Sequence, residues 1–371
     1  MNMNKQQHKP CPNCGQELEF SALSGQLFCQ HCQQNFAITG LDENVEIIEK
    51  DYQRQLAELG VGAEQDERIV AHCANCGAEI VLPENTVADR CSYCDSPIVA
   101  SEKSQRVIRP AGLIPFKINQ QQAGFFFSKW LKSRWFLPGA IHQEAKTRAF
   151  QGVYLPYWTY DCRTLSEYTG QRGQYYYVTV HYTVRVNGRT QTRSRSERRT
   201  RWYPAAGIVQ NRFNDLLVAG NNSYPQELQN ALTPWYLTDL KPYHPDFIRG
   251  FQEQSYSTSL ETGFAEAKIQ MLPSIEAAIR SDIGGDVQRI GNMDIDYREI
   301  RFKLILLPLW ASTFHFHAKA YPFLVNAQTG EVQGKRPWSA AKITMLILSL
   351  LLLIATLLYF FLKDSSTPFL Q

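Results

Sequence analysis

The residues whose chemistry is most explicit are eight cysteines in the first quarter of the chain. They fall as Cys11-Pro-Asn-Cys14 with Cys29-Gln-His-Cys32, then Cys73-Ala-Asn-Cys76 with Cys91-Ser-Tyr-Cys94. Two residues between paired cysteines let a tight backbone knuckle aim both thiolates at one ion. Two knuckles complete a tetrahedral sulfur shell, which zinc prefers and which leaves no open coordination position. The second set repeats the first at an offset of 62, and the match extends to Asn13/Asn75, Gly15/Gly77 and Glu17/Glu79. The spacing predicts two structural zinc ions in two zinc ribbons, each with a short hairpin between its knuckles and left-handed backbone at Gly15 and Gly77. His31 and His72 adjoin ligand cysteines, but the thiolate sets are complete without them. Residues 1–10 contain no apolar run of the secretory kind, so reduced, metal-bound cysteines are expected rather than disulfides.

Charge divides the chain. Residues 1–104 carry 7 Lys/Arg against 16 Asp/Glu, a net of −9, and the remainder carries a net of +12. Each four-thiolate site adds about −2 more. Acidic ribbons make poor grips for nucleic acid, which requires positive charge on the binding face. They are expected instead to dock protein partners. The ninth cysteine, Cys162, follows an aromatic strand and reads as a buried apolar filler.

The elements that must position these groups divide as a first ribbon (1–40), an acidic linker or helix (41–70), a second ribbon (71–104), an α+β domain built on long antiparallel hairpins (105–337), and a C-terminal anchor with a short tail (338–371). In the linker Val45, Ile48, Tyr52, Gln55, Leu56 and Leu59 follow helical spacing. Asn119-Gln-Gln-Gln122 reads as a capping box, followed by a buried stripe of Ala123, Phe127, Trp130 and Leu131 that Pro138-Gly139 ends. The aromatic run 152–161 contains Leu155-Pro-Tyr-Trp158, and its internal proline suggests an edge strand or a bulge. A similar run, Leu307-Pro-Leu-Trp310, raises a second, diverged duplication. Helices are expected over 211–219 and 262–283, the latter kinked or split at Pro273, and strands over 293–317 and 319–334.

Between Gln174 and Tyr203 lies a long hairpin turning at Asn187-Gly188. Tyr176, Val178, Val180, Tyr182, Val184 and Val186 form its even, core-seeking face. The returning strand carries Arg193, Arg195, Arg199 and Arg201 on odd positions, and seven arginines fall between Arg185 and Arg201. Keeping those arginines off the core demands a three-residue loop, which would place them beside Tyr175, Tyr177 and His181. Such a strand is a candidate contact for anionic lipid or nucleic acid, or a solvated face. Finally, residues 343–362 are twenty residues without a charge, enough to cross a hydrocarbon core of about 30 Å. Lys335, Arg336 and Lys342 precede them, so the positive-inside rule expects a single-pass protein of the cell (inner) membrane with its N-terminal domains cytoplasmic.

Two ribbons, the Ile-Pro-Phe-Lys117 run before a Trp-containing helix, and the two Leu-Pro-x-Trp strands together resemble a bacterial family of zinc-ribbon proteins. Its ribbons are similar to the transcription-factor-IIB type and its larger domain is of uncharacterised function. The resemblance extends to about Pro337. Members often carry the names primosomal protein N′ or superfamily II helicase, an activity this sequence does not support. Its nearest approach to a phosphate-binding loop, Gly330-Glu-Val-Gln-Gly-Lys-Arg336, has the wrong spacing and Arg where a magnesium-binding hydroxyl is required. His315 and His317 share one strand face but have no sequence-local third ligand, so they read as ordinary strand histidines. No protease, hydrolase or dinucleotide motif is present. The expected function is a non-catalytic adaptor at the membrane, with a membrane-tethered nucleic-acid binder as the alternative.

Overall fold

The computed structural model describes residues 9–41, 45–61, 66–72, 79–82, 88–90, 97–99, 104–138, 150–186, 189–316, 319–336 and 339–365. The class is α+β, as the hydrophobic periodicities imply. At the N-terminus β1 (Glu19–Ser21), β2 (Gln26–Phe28) and β3 (Asn35–Phe36) form a small antiparallel sheet over a core of Leu18, Leu27, Cys11 and Cys29. Then β4 (Lys50–Asp51) and α1 (Tyr52–Val61) leave this unit and join the large domain. There β4 pairs with residues 301–302, and Tyr52, Leu56 and Leu59 pack in its core.

Five short strands follow: β5 (Asp66–His72), β6 (Glu79–Leu82), β7 (Ala88–Arg90), β8 (Pro97–Val99) and β9 (Ser104–Val107). Their backbone pairing echoes the first unit at the cysteine offset. Phe28 faces Asn35 and Arg90 faces Pro97; Pro10 bridges Glu17 and His72 faces Glu79. Cys73, Cys76, Cys91 and Cys94 themselves lie outside the described residues, as does Gly77.

The large sheet runs in the order β12-β11-β15-β10-β13, from β10 (Gly112–Leu113), β11 (Gln151–Val186), β12 (Arg189–Ala219), β13 (Lys241–Pro242) and β15 (Val287–Phe316). Attached to it are β14 (Gln252–Glu253), β16 (Lys319–Asn326) and β17 (Val332–Gly334). Helices α2 (Gln120–Lys132), α3 (Gln226–Ala231) and α4 (Leu260–Ile283) cover it, and α5 (Ala340–Ser365) ends the described chain.

The two Leu-Pro-x-Trp runs lie side by side at the sheet's centre, antiparallel, with Leu155 opposite Leu307. About that pair the domain has a pseudo-twofold arrangement whose halves exchange their first strands. Strand β10, which precedes α2, pairs in parallel with β15 at Ile305–Leu306; β14, which precedes α4, pairs in parallel with β11 at Val153–Tyr154. The tryptophans cross in the same way. Trp158 donates its indole N–H to Thr258, just before the α4 cap Ser259 (3.0 Å), and Trp310 to Ile118, just before the α2 cap Asn119 (2.7 Å). Each indole also meets a ring three residues before the opposite cap, Tyr256 at 5.0 Å and Phe116 at 5.2 Å, edge to face. The carbonyls of Gly220 and Ala327, which follow the two hairpins, accept paired N–H bonds from 257–258 and 117–118.

The prolines do not mark edges. Pro156 and Pro308 sit in central strands, and each falls where its strand changes partner. On β11 the neighbour changes from β14 to β12, and on β15 from β10 to β16. Each proline carbonyl still accepts on that side, from Gly220 (2.9 Å) and Ala327 (3.0 Å). A missing donor is harmless at a gap between partners.

The capping box at Asn119/Gln122 is present and Ala123, Phe127 and Leu131 are buried, but α2 stops at Lys132, six residues before Pro138. Helix α4 runs unbroken through Pro273. Gly263 lets it approach the sheet: a Cβ there would meet the Tyr160 hydroxyl at 2.5 Å and the Trp158 ring at 3.0 Å. Residues 211–219, expected as a helix, belong to β12. A bulge with Asp215 at φ 52° interrupts the strand's alternation there, which is why periodicity misleads.

Replacing Trp310 with Phe removes the donor to Ile118 and leaves a buried carbonyl unpaired, a cost of about 1–3 kcal/mol. The melting temperature of the detergent-solubilised chain is expected to fall by about 2–4 °C per kcal/mol. An unchanged value would show that the crossed contact does not hold the halves together.

Candidate functional site

Cys11, Cys14, Cys29 and Cys32 bring their sulfurs within 4.8 Å of one another. Cys11 and Cys32 are 3.5 Å apart, Cys14 and Cys29 3.4 Å. A tetrahedral ion with bonds of about 2.3 Å sets its sulfurs about 3.8 Å apart, so the set fits a soft divalent metal. Both knuckles close identically: Gly15 N–H donates to the Cys11 carbonyl and Gln33 N–H to the Cys29 carbonyl, each at 2.9 Å. Both closing residues are left-handed, Gly15 at φ 76° and Gln33 at φ 56°. Glycine announces the first in the sequence; nothing announces the second.

The thiols do not share charge evenly. The Cys32 backbone N–H, together with the neighbouring thiols, holds Cys29 down to about 6, against the effect of burial. Burial, with the Cys11 and Cys29 thiols beside it, pushes Cys32 up to about 12. Four thiolates in one shell require a cation, which is what a metal supplies.

This unit is docked. The Phe20 ring packs against Phe247 and Phe251, and its N–H donates to the Arg249 carbonyl at 3.0 Å. Beneath it Asp246 is almost fully buried, bonded to Lys9 from the ribbon and to Arg249 at 2.7 Å. Burial works to raise its pKa, but Arg249 and Lys9 outweigh it and hold the carboxyl below the usual carboxylate range.

A second group, Glu49, Asp161 and Asp215, also brings three carboxylates within 4.8 Å. Here the cation is part of the chain. The Lys303 ammonium lies 3.0 Å from Glu49 and 2.7 Å from Asp215, and Asp215 N–H donates to Asp161 at 2.7 Å. Burial opposes the Lys303 charge, yet the two carboxylates keep its pKa above the ordinary range. Asp161 is displaced upward, by burial first and then by Glu49 and Asp215, against the pull of the Asp215 N–H. The group reads as a structural ion cluster at the bulge.

The arginine hairpin departs from expectation. Val186 faces Arg189 directly, which is the register of a two-residue loop, although Asn187 and Gly188 lie outside the described residues. Arg193, Arg195, Arg199 and Arg201 therefore face Tyr182, Val180, Tyr176 and Gln174, on the even face. The three-residue loop was inferred from a core that is absent here. The third strand, β15, begins at Val287 opposite Gly173, and beyond that point β11 and β12 pair only with each other among the described residues. With no core to reach, the guanidinium groups cover the apolar face. Arg201 lies over Tyr176 at 5.1 Å and Arg195 over Tyr182 at 5.8 Å, while Arg198 on the other face lies over Tyr175 at 4.3 Å.

Cys162 is buried, 3.5 Å from the Met271 sulfur, and burial pushes its thiol up to about 11, as suits a filler. His315 lies in β15 opposite Ala320; His317 lies outside the described residues. Helix α5 contains a segment, Ala340–Tyr359, long and apolar enough to cross a membrane, and none of it is buried.

No family model matches the chain, and no solved structure matches it. It is similar to the uncharacterised protein YdjG of Bacillus subtilis (strain 168), with 24% identity over 344 residues, covering 90% of this chain and 91% of that protein.

Two variants separate metal binding from docking. Cys14→Ser is expected to lower the bound metal by one ion per chain, whereas Asp246→Asn keeps the metal but opens the 9–41 unit to protease; equal metal loss in both would merge the two roles. Lys303→Met leaves three carboxylates facing one another and is expected to cost about 2–4 kcal/mol at pH 7, less than a fully buried pair because Asp215 is 40% exposed. A carboxyl with a raised folded pKa favours the fold when protonated, so the deficit relative to wild type should shrink as pH falls through the Asp161 pKa. A pH-independent deficit in matched melts would contradict this.

Proposed function

We propose that the chain is a non-catalytic adaptor, anchored by α5 in the cell membrane, that presents two zinc ribbons and an arginine arm to cytoplasmic partners. The observation that carries this reading is the arm. Beyond Gly173 the β11–β12 pair continues for thirteen residues of β11, about 40 Å at 3.3 Å per residue, with both faces exposed or half-exposed. Such a ribbon buries little and contributes little to its own fold, so its length is accounted for by contact with something else.

Zinc in the first ribbon is supported by the four-sulfur geometry. A second ion, held by Cys73, Cys76, Cys91 and Cys94, is supported by the repeated strand register on either side of those cysteines. The acidic ribbons are the surfaces for protein partners.

A second reading, in which the arm binds nucleic acid, is favoured by the guanidinium–tyrosine pairs and by Tyr177, 69% exposed. Anionic lipid of the same membrane is the weaker ligand for the arm. Its root and the root of α5 lie at opposite ends of the sheet: α5 begins beside the α2 end, near Phe150, whereas the arm tip is 35 residues further along β11. The membrane's field decays within a Debye length, so the arm would sense it only if the sheet lay flat along the surface.

The anchor is tested by carbonate extraction, which should leave the full chain in the membrane pellet, and by protease, which should reach the ribbons only from the cytoplasmic side. The arm is tested by replacing Arg193, Arg195, Arg199 and Arg201 with Gln. If it binds single-stranded nucleic acid, affinity falls and the salt slope becomes shallower by up to about 3. If it binds protein, polynucleotide affinity is weak in both forms and partner crosslinks at the arm are lost.

A further inference from the structure

Where α5 meets the domain, the chain builds a face that the adaptor function does not use. The turn after α2 is tied to the first turn of α5. Ser339 N–H donates to the Phe136 carbonyl at 2.8 Å, and the Lys342 ammonium is gripped by the carbonyls of Trp135 and Leu137, each at 2.9 Å. Leu137 is itself buried in the core with Phe127, Phe150 and Phe323, so this grip fixes the helix root to the body. On the side of α2 away from its buried stripe, Phe125 is 66% exposed and Trp135, just beyond the helix, 67%. Lys129 and Lys132 lie exposed between them. In sequence, 119–138 and 332–342 contain six Lys/Arg and no Asp or Glu, and of these Lys335 pairs with Glu227 at 3.8 Å.

Large aromatic side chains left bare in water, alternating with lysines and placed within a lysine's reach of the first residue of an apolar span, have the composition of a membrane–water boundary. Taking α5 as the membrane span, we propose that the outer face of α2 and the turn 133–137 rest in the headgroup layer of the membrane that α5 enters, with Phe125 and Trp135 inserted and Lys129 and Lys132 on anionic phosphates. The ligand is the bilayer surface itself. Lys342 does not reach for phosphate, because backbone carbonyls already hold it; it locks the depth at which Ile343 begins the apolar run. The domain is thereby oriented and not merely tethered.

Photo-crosslinking of the full chain tests this. A benzophenone amino acid is placed at Trp135, at Leu351 within the span, or at Tyr177 on the arm, with the protein reconstituted in phosphatidylglycerol–phosphatidylcholine vesicles. Lipid adducts are expected at Leu351 and Trp135 and none at Tyr177. Lys129→Gln with Lys132→Gln should lower the Trp135 adduct about fivefold or more in these vesicles, and should not change it in phosphatidylcholine alone. Adducts at Leu351 with only protein or solvent products at Trp135 would overturn the proposal while leaving the span intact. No lipid adduct at Leu351 would remove the span, and this proposal with it.

Discussion

The large domain depends on one constraint: a strand of its central sheet must leave a gap on one side wherever it carries a proline. At Pro156 and Pro308 that gap is where one neighbour ends and the next begins. The parallel neighbour on each strand comes from the opposite half, and so does the carbonyl that receives each indole. Neither half therefore has a complete sheet or a complete core by itself. The aromatic density around 152–161 and 304–311 follows from this, since two buried indoles with their edge-to-face partners fill the crossing point.

Local chemistry was legible in the sequence, and long-range partnership was not. The cysteine spacing located the four-sulfur cluster of Cys11, Cys14, Cys29 and Cys32 because knuckle geometry is settled within a few residues. The cap at Asn119 was legible for the same reason, and so was the apolar run at the C-terminus. Pro156 was misread because β-edge rules assume that neighbouring strands are continuous, and no local signal shows where β14 ends and β12 begins. The arm was misread for a related reason: alternation of Val and Tyr with polar residues implies a core, yet the sheet ends at Gly173, and the arginines act as the cover. The strand over 211–219 was hidden by the bulge at Asp215, which shifts the alternation by one residue.

The most buried ion pairs of the large domain, at Asp246 and Lys303, lie where unlike parts of the chain meet. Asp246 joins the four-cysteine unit to the body, drawing Lys9 from one and Arg249 from the other. Lys303 joins the segment before α1 to the bulge in β12 through Glu49 and Asp215. Lys342 joins α5 to the end of α2 through two carbonyls. Apolar packing accompanies the first two, through Phe20 against Phe247 and through Tyr52 in the core, and the charges held out of water add specificity of position.

The exchange of first strands also sets an order of events during synthesis. Strand β11 cannot gain its parallel neighbour until Gln252–Glu253 has been made, and β10 must wait for Ile305–Leu306. At ribosomal speeds of about 5–20 residues per second, the first half therefore spends many seconds without its partner. The four-cysteine unit at residues 9–41 has no such debt to later sequence, because its cysteines lie within 21 positions of one another. It is able to close early, while the apolar helix at 340–365 emerges only after the described strands of the sheet have been made.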